Sequence, residues 1–333
     1  MKIIVDAFGG DNAPGEILLG CAQARQELGV EILLTGDKGK LEACARELGI
    51  SEELSKMEIL SCGDVLTMED EPDSIRREKK DSSMAVGLRA LAEGKGDAFA
   101  SAGNSGALVV GATLLVKRLP GVKRVTFAPV MPGTKGFFML ADGGASVDCR
   151  PEMLLQFGLM GSAYMKHVMG IESPRVGLAN VGTEEHKGSE LQKETYVLLQ
   201  KTPELRFVGN VEGRDIPFDA ADVVVTDGFT GNMILKVYEG VALALMDKIK
   251  GVFLSSAKGK VAAALVYKDL KKMKKELDYN EYGGAPILGC RKPVFKIHGS
   301  AKASTVKSAL RLARDYAQSG VIDKIAQAVA KER

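Results

Sequence analysis

The stretch VVVTDGFTGNMILK, Val223 to Lys236, decides the fold. Val223-Val224-Val225 is an apolar β-branched run of the kind that fills a buried strand. It breaks at Thr226-Asp227-Gly228-Phe229-Thr230-Gly231-Asn232 and resumes with helical spacing through Ile234, Leu235 and Val237. A strand that turns through glycines into a helix leaves unpaired backbone N–H groups at the helix start, and these attract an anion. Two readings fit the stretch alone: a strand–helix turn with a good N-cap, or one wall of an anion site with Thr226, Thr230, Asn232 and Lys236 as extra donors.

Similar loops recur outward from this one. Lys2–Ala7, Glu31–Gly36, Met57–Ser61, Asp97–Ala100, Val125–Pro129, Gly136–Ala141, Arg175–Ala179 and Arg206–Val208 read as strands. Helices are predicted from the Pro14 turn to Leu28, over Lys38–Leu48, over Ser82–Ala92, after Gly106 to Val116, and from Pro151, where proline suits a first helical turn. Leu66–Arg77 reads as an exposed connection. Alternating strands and helices predict an α/β fold: a doubly wound, largely parallel sheet covered on both faces. Ligands bind such sheets beyond the carboxyl ends of the strands. Six of those ends, at residues 9–12, 101–106, 142–145, 180–183, 209–213 and 226–232, combine glycine with Asp, Asn, Ser or Thr.

With 333 residues, 45% of them hydrophobic and 26% charged, the chain suits one large or two medium globular domains. A net charge of +2, no tryptophan and 5% aromatic residues argue against nucleic acid as the partner. The five cysteines form no CxxC pair and no even framework, so reduced thiols in the cytoplasm are expected. Asp6 and Asp11 interrupt the N-terminus too early for a signal peptide, and the apolar run Gly106–Val116 is too short to span a bilayer.

No GxGxxG, GxxxxGK[ST], GxSxG or HExxH occurs, which removes the motif support for a dinucleotide turn, a P-loop, a hydrolase nucleophile elbow and a zincin site. His167, His186 and His298 are scattered; His167 lies in an apolar helix, where a histidine is more often packed than catalytic. The remaining inventory of backbone donors, amides and hydroxyls suits chemistry that positions an anion and stabilises an oxyanion. Lys187 is the one lysine within a cleft-type loop; a solvated charge opposite Glu184 and Glu185 fits it equally well. No metal ligand set is visible, and no cofactor is expected.

DAFGGDNAP, SAGNSGAL, SPRVGLANVGTEEHKG, GNVEGRD, ADVVVTDGFTGN and YGGAPILG, in order from Met1 to about Tyr316, resemble the acyl-acyl-carrier-protein:phosphate acyltransferase (PlsX) family of bacterial phospholipid synthesis. The resemblance implies an isocitrate/isopropylmalate dehydrogenase-like fold, shared with phosphotransacetylases, and a homodimer. It also implies transfer of a fatty acyl group from acyl carrier protein to inorganic phosphate, the acyl-phosphate passing to a membrane glycerol-3-phosphate acyltransferase. Lys187 and Asn232 are the candidate catalytic residues. Asp6, Gly10, Asp11, Ser101, Asn104, Ser105, Asp142, Asn180, Thr183, Asn210, Asp227, Thr230, Gly231, Gly283 and Gly284 are the candidate substrate-binding residues. The family pattern often has Met and His where Phe8 and Asn12 stand, so no acid–base histidine carries over to position 12. It usually reads ANVD where Ala145-Ser146-Val147-Asp148 stands, so no binding role carries over to Ser146.

Residues 236–289 are expected to form a helical insertion on an α/β core of 1–235 and 290–333. Val266, Leu270, Met273 and Leu277 share one helical face, lysines crowd the rest, and Gly251–Ser255 reads as an apolar break. A dimer contact and a membrane-facing surface both fit this segment. A coenzyme A-linked phosphotransacetylase and a non-catalytic membrane-surface scaffold are the alternative functions. An NAD-dependent dehydrogenase lacks the aspartates and arginines it would need.

Overall fold

The computed structural model describes residues 1–276 and 284–331. Its strands are β1 (Lys2–Asp6), β2 (Glu31–Gly36), β3 (Glu58–Ser61), β4 (Ala98–Ser101), β5 (Thr126–Phe127), β6 (Val130–Gly133), β7 (Gly136–Ala141), β8 (Arg175–Asn180), β9 (Arg206–Glu212), β10 (Val223–Val225), β11 (Ala285–Leu288) and β12 (Val294–Lys296). The helices are α1 (Gly15–Leu28), α2 (Lys38–Glu47), α3 (Ser51–Ser55), α4 (Ser83–Ala92), α5 (Ser105–Gly111), α6 (Pro151–His167), α7 (Glu190–Gln200), α8 (Gly228–Leu254), α9 (Ala257–Leu265), α10 (Tyr267–Glu276), α11 (Ala303–Gln318) and α12 (Val321–Lys331).

The α/β character and the dominance of parallel pairing agree with the sequence, but one sheet becomes two. The first runs β3-β2-β1-β4-β12-β11-β5 and the second β6-β7-β10-β8-β9. The division falls within the segment expected to be a single strand, Val125–Pro129. Ala128 N–H donates to the Pro286 carbonyl of the first sheet, whereas the Pro129 carbonyl accepts from Leu140 N–H of the second. Proline has no N–H to continue a ladder, so the chain changes sheets there. It enters the second through the antiparallel β6–β7 hairpin.

Three further expectations change. Gly209–Glu212 was expected as a loop, but β9 continues through it, with a register shift opposite Val176 to Leu178. Gly209, at φ 91°, takes the irregular position, so it marks a bulge within the strand. Ala285–Leu288, inside the segment 236–289 expected to be helical, is instead a strand of the first sheet paired with β12 and β5. Finally, α8 does not break at Gly251. It runs 27 residues, about 40 Å at 1.5 Å per residue, and gives way to α9 at Ser256, whose side chain caps Gly259 N–H.

One core joins the halves. Ile3 and Val5 of β1 belong to the same buried cluster as Met139 of β7 and Val223 of β10. Helix α12 packs on α6 under the second sheet, while α11 packs on α1 under the first. Tyr316 of α11 lies 5.5 Å from Tyr164 of α6 and 5.7 Å from Phe295 of β12, centroid to centroid. This shared core holds the carboxyl ends of β1, β4 and β12 opposite those of β7 and β10.

Candidate active site

Between the two sets of strand ends lies a cavity of about 470 Å³. Met68, Val109, Phe127, Pro129, Val130, Met131 and Leu235 supply an apolar wall; Asp11, Ser105, Asn232, Lys236, Glu239, Lys296, His298 and Ser300 supply polar groups. An apolar pocket with a few convergent polar groups is the usual form of a small-molecule site.

On the second-sheet side, the opening stretch behaves as its spacing predicts. Asp227 caps α8, its carboxylate accepting from Thr230 N–H at 2.9 Å and from the Thr230 hydroxyl at 2.7 Å. Gly231 is buried so close to the Asp142 carbonyl that a Cβ there would overlap it. The first turn of α8 therefore rests directly on the loop after β7. That loop is tied by the buried Asp142 carboxylate, which accepts from Phe127 N–H at 2.9 Å, Thr126 Oγ1 at 3.2 Å, and Gly144, Ala145 and Ser146 N–H at 3.3, 3.1 and 2.6 Å. Burial raises the Asp142 carboxyl to about 6, against the opposing pull of its backbone donors. Gly143 and Gly144 line the cavity, with Gly144 packed against the Asn232 side chain.

On the first-sheet side, Asp6 plays the matching part. It is buried and accepts from Ser83 Oγ and Ser101 Oγ, both at 2.6 Å, and from Phe8 N–H at 3.2 Å. Burial raises its carboxyl, while these donors oppose the shift. Asp11 N–H donates to the Gly299 carbonyl at 2.8 Å and the Asn12 amide donates to the carbonyls of Ser300 and Ala301. The two loops after β1 and β12 are thereby joined, and position 12 holds structure where the family pattern often has histidine. Asn104 caps α5 and its amide donates to the carbonyls of Thr67, Met68 and Asp70, which brings Met68 to the cavity rim.

Lys296 ends β12 and is 7% exposed; its ammonium donates to the Ala102 carbonyl at 3.1 Å and to that of Ile297. Burial lowers it to about 8, with Asp6 and Asp11 opposing. Burial also lowers His298, whose Nδ1 lies 2.8 Å from Ser300 Oγ. The Cys149 thiol, in contact with the Ser146 carbonyl, is pushed up to about 12 by burial and is no ready nucleophile.

Of the candidate residues, Asn232, Asp11, Ser105 and Gly284 reach the cavity. Asp6, Ser101, Asn104, Asp142, Asp227 and Thr230 spend their polar atoms on the loops that shape it, and Gly10 and Gly231 allow close backbone contacts. Gly283 lies outside the described residues. The structure does not bring Lys187 onto the cavity wall beside Asn232. Lys187 is exposed on the loop after β8, with Thr183, while Asn180 donates to the Lys187 carbonyl at 3.1 Å and Asn210 to that of Glu184 at 2.9 Å. Lys296, His298 and Glu239 were missed. The available signal was a lysine set inside the apolar run Val294-Phe295-Lys296-Ile297, immediately before His298-Gly299-Ser300. Among the described residues no cluster of His, Cys, Asp and Glu could hold a metal ion, and no helix is long and apolar enough to cross a membrane.

Residues 1–324 match the model of the family described as fatty acid synthesis protein. A phosphate acyltransferase of Acetivibrio thermocellus is 47% identical over 328 residues, covering 98% of this chain and 96% of that protein. One of Clostridioides difficile is 43% identical, covering 99% and 97%. Among solved structures, the EutD phosphotransacetylase of Staphylococcus aureus superposes with a TM-score of 0.62 at 17% identity, covering 95% of this chain and 94% of that one. A branched-chain phosphotransacylase of Enterococcus faecalis gives 0.59 at 14%, covering 96% and 100%. These last two likenesses are of fold alone.

Proposed function

This chain belongs to the fatty acid synthesis protein family, and from that membership we propose that it is a phosphate acyltransferase, moving a fatty acyl group from acyl carrier protein to inorganic phosphate. A phosphate oxygen attacks the thioester carbonyl, the tetrahedral oxyanion collapses, and the carbon–sulfur bond breaks. The carrier thiol leaves with the proton that hydrogen phosphate gives up. Phosphate dianion is already nucleophilic at neutral pH, so the demands on the protein are alignment, exclusion of water and charge stabilisation. The observation that carries this reading is the cavity, whose lining combines apolar side chains suited to an acyl chain with Asn232 and two lysines.

Asn232, on the first turn of α8, donates to the developing oxyanion. Lys187 reaches it from the exposed loop after β8, the strand beside β10, as the thioester docks. The finer fold type is that of the isocitrate and isopropylmalate dehydrogenases. Helices α8 to α10 form the homodimer contact; Met233, Val237, Val241 and Leu245 support this, because each is half or more exposed along α8. The end of α8 also meets the membrane surface as a peripheral contact. Val252 and Leu254 are exposed there, and Lys248, Lys250, Lys258 and Lys260 would each add about 1 kcal/mol of attraction to anionic headgroups. The acyl-phosphate then passes at the inner face of the cell membrane to a glycerol-3-phosphate acyltransferase. Leu254→Glu should weaken sedimentation with anionic liposomes while solution activity stays near normal; a variant that binds liposomes unchanged but dissociates into monomers would assign this cluster to the dimer contact.

The activity is tested by incubating the protein with an acyl-carrier-protein thioester with and without phosphate and following free carrier protein. Cleavage should require phosphate. Equal hydrolysis without it, or equal use of acyl-coenzyme A, would overturn the reading.

A further inference from the structure

We propose that Lys296 is a phosphate-binding residue of this site, its ammonium holding the attacking phosphate from the first-sheet side of the cavity. The inference rests on the acyl transfer proposed above and names the group that seats its second substrate. Lys296 is the last residue of β12, between β4 and β11, so it stands at the carboxyl end of a central strand, where α/β sheets bind ligands. Its side chain lines the cavity although the residue is 7% exposed. A buried charge is normally paired with an opposite charge. Among the described residues no carboxylate lies within ion-pair distance of Lys296.

Two of its three N–H groups are taken by the carbonyls of Ala102 and Ile297. The charged groups around it do not supply a substitute for an anion. Asp6 on β1 is committed to Ser83 and Ser101. Asp11 follows β1 on an exposed loop, and His298 leads on from β12. Across the cavity on α8, Lys236 is 2.8 Å from Glu239. Two lysines on opposing walls, one of them unpaired and largely dry, complement a dianion better than any group of the protein does.

The ammonium of the empty site is held down to about 8 by burial. A bound dianion opposes that shift, so phosphate binding should take up a proton above pH 8 and weaken as pH rises further. A structural clamp on the Ala102 carbonyl would not produce this behaviour.

The test is steady-state kinetics with acyl-carrier-protein thioester and varied inorganic phosphate from pH 6.5 to 9.5, for wild type, Lys296→Gln and Lys296→Arg. Thermal shifts with and without phosphate accompany it. Loss of a charged hydrogen-bond donor should raise the phosphate KM about 10- to 100-fold, with the thioester KM changed far less. Lys296→Arg should recover part of the loss, and the rise of phosphate KM above pH 8 should vanish in Lys296→Gln. If Lys296→Gln does not fold, the wild-type phosphate-induced thermal shift decides: it must shrink as pH rises through 8. An unchanged phosphate KM, both KM values rising together, or a wild-type shift independent of pH would overturn the proposal. Failure of the acyl-transfer reading is separate, because wild type itself would then show no phosphate-dependent cleavage.

Discussion

The loop after β7, Asp142–Ser146, and the end of β8 with its loop, Asn180–Gly188, look alike as sequence: each follows an apolar run with glycines and short polar side chains. In three dimensions they are opposites. The first is organised by a buried carboxylate that accepts from four backbone N–H groups and one hydroxyl. The second is exposed and is tied by two amides bonding to single carbonyls. The locked loop supports Asn232 at the cavity; the open one carries Lys187 in solvent. The lesson is that polar residues at a strand end serve either as scaffold or as working surface, and burial decides which.

Removing the lock should have the largest effect on this contrast. Asp142→Ala leaves four backbone donors without their acceptor in a buried site, and should destabilise the fold by about 3–5 kcal/mol in denaturant titration. The effect has a pH signature. The folded carboxyl sits at about 6, above its unfolded value, so protonation favours the folded state. Its contribution is fully present below the unfolded value and is lost as pH rises through 6. The gap in Tm between wild type and Asp142→Ala should therefore widen from pH 7.5 to pH 5; a constant or narrowing gap would mean that the carboxylate is not buried as described.

Next in size are the two proposed catalytic residues. Asn232→Ala should fold normally and lose on the order of 10²–10³ in turnover, the usual consequence of deleting one preorganised donor. Lys187→Ala should do the same if the open loop brings its lysine to the reacting carbonyl. A variant keeping more than about a tenth of the wild-type rate would remove that residue from its proposed role. Retention by Lys187→Ala alone would leave the chemistry to the cavity side.

The smallest effect belongs to the scaffold of the open loop. Asn180→Ala deletes a surface-accessible bond to the Lys187 carbonyl and should lower stability by only about 1 kcal/mol, with activity reduced less than by Lys187→Ala. A loss as large as that of Asp142→Ala would erase the distinction between the loops.

These contrasts also explain what could be read from the chain. The Val223–Lys236 stretch was legible because its signals are local: a β-branched run, an N-cap aspartate three residues before Thr230, and helical spacing afterwards. Gly209 misled because a glycine beside Asn210 signals a loop and a bulge equally; only pairing with β8 separates them. The second sheet was hidden because Pro129 marks a break but not what the next strand pairs with. Lys296 was hidden for the same reason. Its burial comes from β4, almost two hundred residues earlier in the chain, and from the ends of strands it does not follow. Asp6 and Asp142 stood among the candidate substrate-binding residues, but their carboxylates are taken up by the hydrogen bonds that hold the loops.

Acyl transfer to phosphate in the cavity between the sheets makes two products in step, and following both of them tests it. Purified protein incubated with an acyl-carrier-protein thioester and phosphate should release carrier thiol and form acyl-phosphate, trapped as a hydroxamate with hydroxylamine, in equal amounts and only when phosphate is present. Thiol released without phosphate, or without an equivalent of acyl-phosphate, would contradict it.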